Sequence, residues 1–247
     1  MEACLRKLDK KPAFKKEELF KTAENCGTVL RANTKEKYLN RLLLNGEIAR
    51  VGWNAYCVRD ELQIYHYKYS DISNHIADIL TQDFYDLDFR IMELHQMNRF
   101  INHLIMHNVI FVYVEKELCP DVFERLKREY EGKLLIRPTV EDFYYYRTNN
   151  IIVVKNLMTE SPKGAKIKWH TGLEKLLVDL FADKLIRSMI GESEYPSIFE
   201  TAFKNYVIDE NRMFRYAGRR KAAHKIKKFL AEETTVKLRT AAGGNTC

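Results

Sequence analysis

The sequence lacks most of the landmarks that assign a protein at sight. It has no run of about 18 apolar residues, so no helix is expected to cross a membrane. Its opening, Met1-Glu-Ala-Cys-Leu-Arg-Lys-Leu, lacks the apolar stretch of an export signal. The 5 cysteines (Cys4, Cys26, Cys57, Cys119, Cys247) form no C-x-x-C pair, which points to free thiols in a reducing cytoplasm. The 10 glycines are dispersed, with no G-x-x-x-x-G-K-[ST], G-x-G-x-x-G or G-x-S-x-G. Phosphate-loop and nucleophile-elbow enzymes are therefore excluded. There is no internal repeat, no low-complexity tract and no Pro/Gly-rich linker to mark a domain boundary.

What is present is ordinary in amount and uneven in arrangement. The 247 residues, 46% hydrophobic and 30% charged, suffice for one large domain or two modest ones. The net charge of +7 divides sharply along the chain. Residues 1–65 hold 13 Lys/Arg against 9 Asp/Glu, and residues 211–230 hold 8 Lys/Arg with no acid. The remainder is slightly acidic. Two basic regions around an acidic middle favour a polyanionic partner, although Lys-rich helices that merely solvate the surface give the same sum.

Periodicity places a short helix over Lys15–Glu24, stopped by Asn25-Cys-Gly27, and a second from a cap at Asn33 or Thr34 to Leu44. Leu39, Leu42 and Leu43 form its core stripe. Asn45-Gly46 ends it, and alternation begins at once in Glu47–Val51 and Ala55–Arg59, around Gly52-Trp-Asn54. A helix running directly into a hairpin is the layout of a winged helix-turn-helix. Such a unit can place one helix in a major groove while the wing grips the neighbouring backbone, and it can equally serve protein contacts.

Residues 60–69 read as a connector, and the pattern beyond them changes. Ser70 or Asp71 caps a helix to Gln82, and Phe89–Leu94 reads as a strand. Met97–His107 reads as a helix, and Val109–Val114 as a strand covered on both faces. Pro120–Tyr130 and Val140–Tyr146, capped by Thr139, read as helices, with strands at Lys133–Ile136 and Asn150–Val154. A long helix over Gly172–Ile190 and two more, Pro196–Tyr206 and Asn211–Ala231, complete a helical end, and the last residues, 240–247, are expected to be disordered. The fold class expected is thus α/β. Residues 1–65 form an N-terminal winged helix-turn-helix. Residues 66–247 form a domain of alternating helices and a mainly parallel sheet plus a helical end.

Four groups could carry chemistry. His103 and His107 have a helical metal spacing that His95 could join, but they lack the Glu of H-E-x-x-H, and no metal site and no cofactor is expected. Glu93, Glu115 and Glu117 end consecutive predicted strands, where the carboxyl edge of a parallel sheet gathers catalytic groups, so a metal-dependent nuclease is the enzymatic alternative. Glu174, Asp179 and Asp183 on the leucine-rich helix read as a salt-bridging face, with Arg187 in reach. Arg215, Arg219, Arg220 and Lys221, among aromatics, suit a second nucleic-acid or partner surface, unless the aromatics pack inward and leave a merely basic face.

The leucine-rich helix followed by Gly46, Ile48, Arg50, Val51, Gly52 and Tyr56 resembles the winged-helix domain of AbiEi-type antitoxins. Phe111–Glu117, Asn156–Pro162, Leu173–Asp183 and Phe214–Arg220 resemble the second domain of a bacterial branch of that group, so the likeness spans residues 14–230. The resemblance implies an antitoxin of a type IV toxin–antitoxin or phage-defence locus. Such a protein represses its own operon and counters a nucleotidyltransferase-like toxin. Its DNA-contacting positions would be Lys35, Lys37, Tyr38 and Arg41 on the recognition helix, and Arg50, Trp53 and Asn54 on the wing. Trp53 stands where a glycine or small polar residue is expected, which leaves the indole two places, the groove or the second domain. The partners implied are double-stranded operator DNA and the toxin, without a membrane. The oligomeric state is left open, and the resemblance supplies no catalytic residue.

Overall fold

The computed structural model describes residues 3–59 and 61–241. At its N-terminal end, α1 (Ala3–Leu8), α2 (Lys16–Asn25) and α3 (Ala32–Leu44) pool Leu5, Leu8, Leu19, Phe20, Leu39 and Leu42 in one apolar cluster. The stop at Asn45-Gly46 has a clear cause. Gly46, at φ 69°, takes the left-handed conformation, and its N–H donates to Leu43 O while that of Glu47 donates to Leu42 O. This reciprocal cap turns the chain out of the helix already extended. The antiparallel strands β1 (Ile48–Gly52) and β2 (Ala55–Val58) therefore follow without a linker. The start of α3 differs from the expectation: Arg31, not Asn33 or Thr34, is the capping position, and no side chain caps it.

Beyond the ribbon come α4 (Asp71–Asp83), β3 (Arg90–Glu93), β4 (Val109–Val114), α5 (Cys119–Lys127), β5 (Leu134–Ile136), α6 (Val140–Tyr146) and β6 (Ile151–Asn156). The helical end is α7 (Leu173–Ala182), α8 (Lys184–Met189), α9 (Tyr195–Asn205), α10 (Glu210–Arg219) and α11 (Ala223–Glu233). The four strands lie in the order β3-β4-β6-β5. The pairs β4–β6 and β5–β6 are parallel, so the protein is a mixed α/β chain with a mainly parallel sheet. One face of the sheet, through Phe111, Tyr113, Ile151 and Val153, packs on the helical end. The other, through Ile110, Val112, Val114, Ile152 and Val154, packs on α4 and α5. All six residues of β4 are buried, which is why that run reads as uninterrupted apolar sequence.

Three expectations are corrected. No α-helix forms over Met97–His107: a 3-10 turn at Leu94–Arg99 leads into a loop, and β3 pairs antiparallel with β4. The asparagines of this stretch hydrogen-bond backbone groups with their side chains and so compete with a helix. Asn98 both donates to Ile105 O (3.2 Å) and accepts from Ile105 N (2.8 Å), and Asn108 accepts from His95 N (3.1 Å). The long helix over Gly172–Ile190 is two, because the Asp183 carboxylate accepts from the N–H groups of Leu185 and Ile186 and starts α8. The helix over Asn211–Ala231 is likewise two, broken where Lys221 adopts φ 55°. Of the segment expected to be disordered, residues 242–247 lie outside the described residues. Thr240 is fixed, its N–H donating to Glu210 Oε2 at 2.8 Å.

The ribbon rests on the helical end. Ala49, Val51 and Cys57 on one of its sides pack with Leu62 and Val207, and β1 touches α10. Gly52 marks the closest approach: a Cβ there would stand 2.7 Å from Thr240 Cγ2 and 3.2 Å from Asn211 Nδ2.

A strap, Trp169-His170-Thr171, closes the free edge of β3. Ile91 N–H donates to Trp169 O (2.9 Å), and Thr171 N–H to the Tyr69 hydroxyl (2.9 Å). His170 lies between the rings of Tyr69 (4.4 Å) and Trp169 (4.2 Å), with His66 beyond. Burial, and to a lesser degree His66, lowers its pKa from 6.5 to about 4. The folded chain thus holds His170 neutral where the unfolded chain takes up a proton. The stability this represents is complete above pH 6.5 and is lost as pH falls toward 4. Thermal melts of wild type and His170→Gln between pH 7 and 4 should converge on acidification, the wild type losing more. Parallel curves would show that His170 does not carry this dependence.

Candidate nucleic-acid interface

On α3, one face carries Tyr38, Leu39 and Leu42 into the core, and the opposite face carries Lys37 and Arg41 one turn apart. Lys37 is exposed and makes no ion pair among the described residues. Arg41 is exposed, its guanidinium 5.1 Å over the Tyr38 ring. Lys35 lies back on α2, its Nζ 2.9 Å from Glu24 Oε1 and 5.6 Å from the centre of the Phe20 ring. Tyr38 is corrected outright. Its ring is buried and its hydroxyl sits 3.3 Å from Cys4 Sγ, so it is a core residue that cannot meet a base.

The ribbon presents Arg50 and Trp53 outward. Arg50 Nε donates to Gly52 O (3.1 Å), which steers the guanidinium along the turn. Trp53 is 80% exposed, so the indole does not pack on the second domain. Asn54 is the second correction. At φ 47° it turns back on α2, its Oδ1 accepting from Lys16 N (3.3 Å) and its Nδ2 donating to Glu17 Oε2 (3.1 Å). It fixes the turn and offers nothing outward.

The second basic region is also split. Arg215 and Arg219 are exposed and both face Glu160, at 3.3 and 3.7 Å, and Lys221 is exposed beside them. Arg220 turns inward: its Nε lies 3.6 Å from Asp179 Oδ1 and its Nη2 3.7 Å from Asp183 Oδ2. It is one rung of a ladder between α7 and α10. Glu174 takes Arg212 Nη2 at 2.6 Å, Asp179 takes the Tyr216 hydroxyl at 3.0 Å, and Asp179 and Asp183 take Arg220. Lys175, also on α7, is buried, pairs with Asp179 and lies 3.5 Å over the Tyr113 ring. Lys155 of β6 donates to both oxygens of Asp183, at 2.8 and 2.6 Å. The salt-bridging reading of Glu174, Asp179 and Asp183 therefore holds, with other partners, since Arg187 pairs with Glu192.

Burial lowers the Lys175 pKa below the ordinary lysine value even beside Asp179. At Asp183 burial pushes the other way, but Lys155 and Arg220 outweigh it and hold the carboxyl below its usual range. Sequence reasoning missed Lys155, Lys175 and Tyr113, whereas Tyr216 is one of the aromatics weighed as packing inward. The signal available was a lysine ending the apolar run Ile151–Val154, and Lys175 and Asp179 four apart inside a leucine helix.

The carboxylates of the nuclease alternative do not form one site. Glu93 pairs across from Ile110 at the start of β4, whereas Glu115 follows its end, roughly 15 Å of strand away. Glu93 is consumed besides, accepting from Ser70 N (2.8 Å), Ser70 Oγ (2.6 Å), Ser73 Oγ (2.6 Å) and Tyr67 Oη (2.8 Å). Glu115 and Glu117 are exposed. His103 and His107 lie on a loop, so their spacing has no helical meaning, and His103 Nδ1 is 2.8 Å from Glu194 Oε1. His95 Nε2 is buried and has no hydrogen-bond partner among the described residues. Among the described residues, no group of three His, Cys, Asp or Glu side chains is placed to hold a metal.

Fold and surface together define a mixed α/β protein with a cationic helix-and-ribbon unit at one end. The chain belongs to the family described as a family of unknown function (DUF6577), which it matches over residues 34–236. No curated protein matches it. Among solved structures it is similar to the crystal structure of the RV2827C protein from Mycobacterium tuberculosis. The identity is 10% and the TM-score 0.25, over 93% of this chain and 79% of that one.

The ladder makes an unequal demand on its members. Asp179→Ala would strand Lys175 and the Tyr216 hydroxyl in the core and should cost about 3–5 kcal/mol in urea unfolding. Lys175→Met replaces the buried cation with an apolar chain, leaves Asp179 bonded to Tyr216 and Arg220, and should be near neutral. Equal losses in the two variants would overturn this account of the cluster.

Proposed function

We propose that this chain is a DNA-binding regulator whose N-terminal unit acts as a winged helix-turn-helix, with α3 the recognition helix and the β1–β2 ribbon the wing. Lys37 is exposed on α3 and Arg50 on the adjoining ribbon, with Trp53 at the turn, and this arrangement carries the reading. A helix of this kind enters a major groove while a cation one element away takes the flanking backbone. Lys37 and Arg50 bind phosphates. Arg41, on the face of Lys37, reaches base edges or phosphates. Lys35 lies further back, at the margin of the surface. Arg215, Arg219 and Lys221 offer a second surface to an anionic partner.

The resemblance to AbiEi-type antitoxins supports the fuller reading, an antitoxin and autorepressor of a bacterial type IV toxin–antitoxin or phage-defence locus that counters a nucleotidyltransferase-like toxin. Its operator would lie upstream of its own coding region.

Binding to that upstream fragment, titrated with salt, tests the DNA reading. Lys37→Ala and Arg50→Ala should each flatten the log–log salt dependence by about one unit. Tyr38→Phe should leave it unchanged, since that ring belongs to the core. Undiminished binding by both alanine variants, or no retention of the fragment at low salt by the wild type, would sink the proposal.

A further inference from the structure

The loop between β3 and β4 is pinned by polar groups and yet presents two large apolar side chains to solvent. Asn98 clamps the backbone of Ile105, and Glu194 accepts from Asn102 N (3.1 Å) and sits 2.8 Å from His103 Nδ1. Held in this way, Leu104 is 66% and Met106 79% exposed. Across from them stand Phe143, Tyr144 and Arg147 at the end of α6, the Tyr144 hydroxyl donating to Ser188 O (2.6 Å) and Arg147 lying 4.7 Å over the Tyr144 ring. Between the two runs lies a groove of about 410 Å³, with Val109, Phe143 and Met189 in its lining.

So much apolar surface, on segments pinned by hydrogen bonds, is not the incidental exposure of a loose loop. Tyr, Met, Leu and Arg without Lys, Asp or Glu is the composition of a protein interface core. The charged or titratable groups lining the groove are Arg147, His103, His107 and Tyr144; no carboxylate lines it, and Glu194 pairs with His103 from outside it. From this we infer that the groove is a docking site for a partner protein, which lays in it a segment with aliphatic or aromatic anchors flanked by aspartate or glutamate. A second copy fits worse, because in a groove-to-groove contact neither lining offers a carboxylate to the other copy's Arg147. The inference stands on this groove alone and is independent of the DNA reading.

The test is selection of random displayed peptides on the full chain, with binding then measured by fluorescence anisotropy. The enriched peptides should combine Leu, Phe or Trp with Asp or Glu. They should lose binding to Met106→Asp and weaken about tenfold or more on Arg147→Glu, with affinity recovered when their acids are changed to Lys. Both altered side chains are exposed, so the melting temperature should not move; a variant that melts early is replaced by Leu104→Asp. Three outcomes would overturn the inference: no peptide that separates wild type from Met106→Asp, enrichment of basic peptides, or a wild-type dimer in sedimentation that Met106→Asp dissolves. The last would make the groove an interface between copies.

Discussion

The ladder between α7 and α10 sets the frame for everything else. Arg212 and Tyr216 on α10 and Arg220 at its C-terminal cap recur every four residues, and they meet Glu174 and Asp179 on α7 and Asp183 at its C-terminal cap in the same order. This makes the two helices parallel neighbours with one register, since a slip of one turn would leave buried charges unpaired. Lys155 ties the ladder to the sheet through Asp183. At the other end of α10, Glu210 holds Arg239 N (2.7 Å) and Thr240, beside the glycine on which the ribbon rests. One helix therefore links the sheet to the N-terminal unit. The sheet, the helical end and the cationic surface are placed relative to one another by a row of acids in an otherwise apolar helix.

That arrangement explains why the basic region at 211–230 misleads when read by charge alone. Arg212 and Arg220 are spent on the ladder, and Arg215 and Arg219, a turn apart on the outer side, are left for solvent and Glu160. Helical spacing separates the two sets, but nothing in the sequence of α10 says which set faces inward. That depends on α7, whose acids sit at positions dictated by a partner distant in the chain. Local signals were legible at several element ends, though not at the Asp183 cap that starts α8 or the turn at Lys221. Thr139 does cap α6, Ser70 does cap α4, and Asn45-Gly46 does end α3. The all-apolar, β-branched run Val109–Val114 reads as a strand covered on both faces, and it is one.

Non-local causes were not legible. The direction of β3 decides whether Glu93 and Glu115 share an edge, and it rests on hydrogen bonds made by asparagine side chains in the intervening loop. Tyr38 and Asn54 have side chains that suit DNA as well as a core or a turn. Their fates were set by Cys4 and by the N-terminus of α2, neither adjacent in sequence. The candidate surface is consequently smaller than the sequence suggests, and also stiffer, because Asn54 and Tyr38 hold the elements that carry Trp53 and Lys37.

The two proposed surfaces differ in kind, and the difference follows from what each residue type does in water. Lysine and arginine on α3 and the ribbon are solvated charges, so a partner gains from them chiefly by releasing counterions, an effect that salt removes. The groove beside Met106 is apolar with a cationic rim, so a partner gains there mainly by removing apolar surface from water, an effect that salt does not weaken. A chain with both can engage two partners whose affinities fall with ionic strength to different degrees. Such a chain has a physical basis for holding one partner when the other is released, without any change in its own fold.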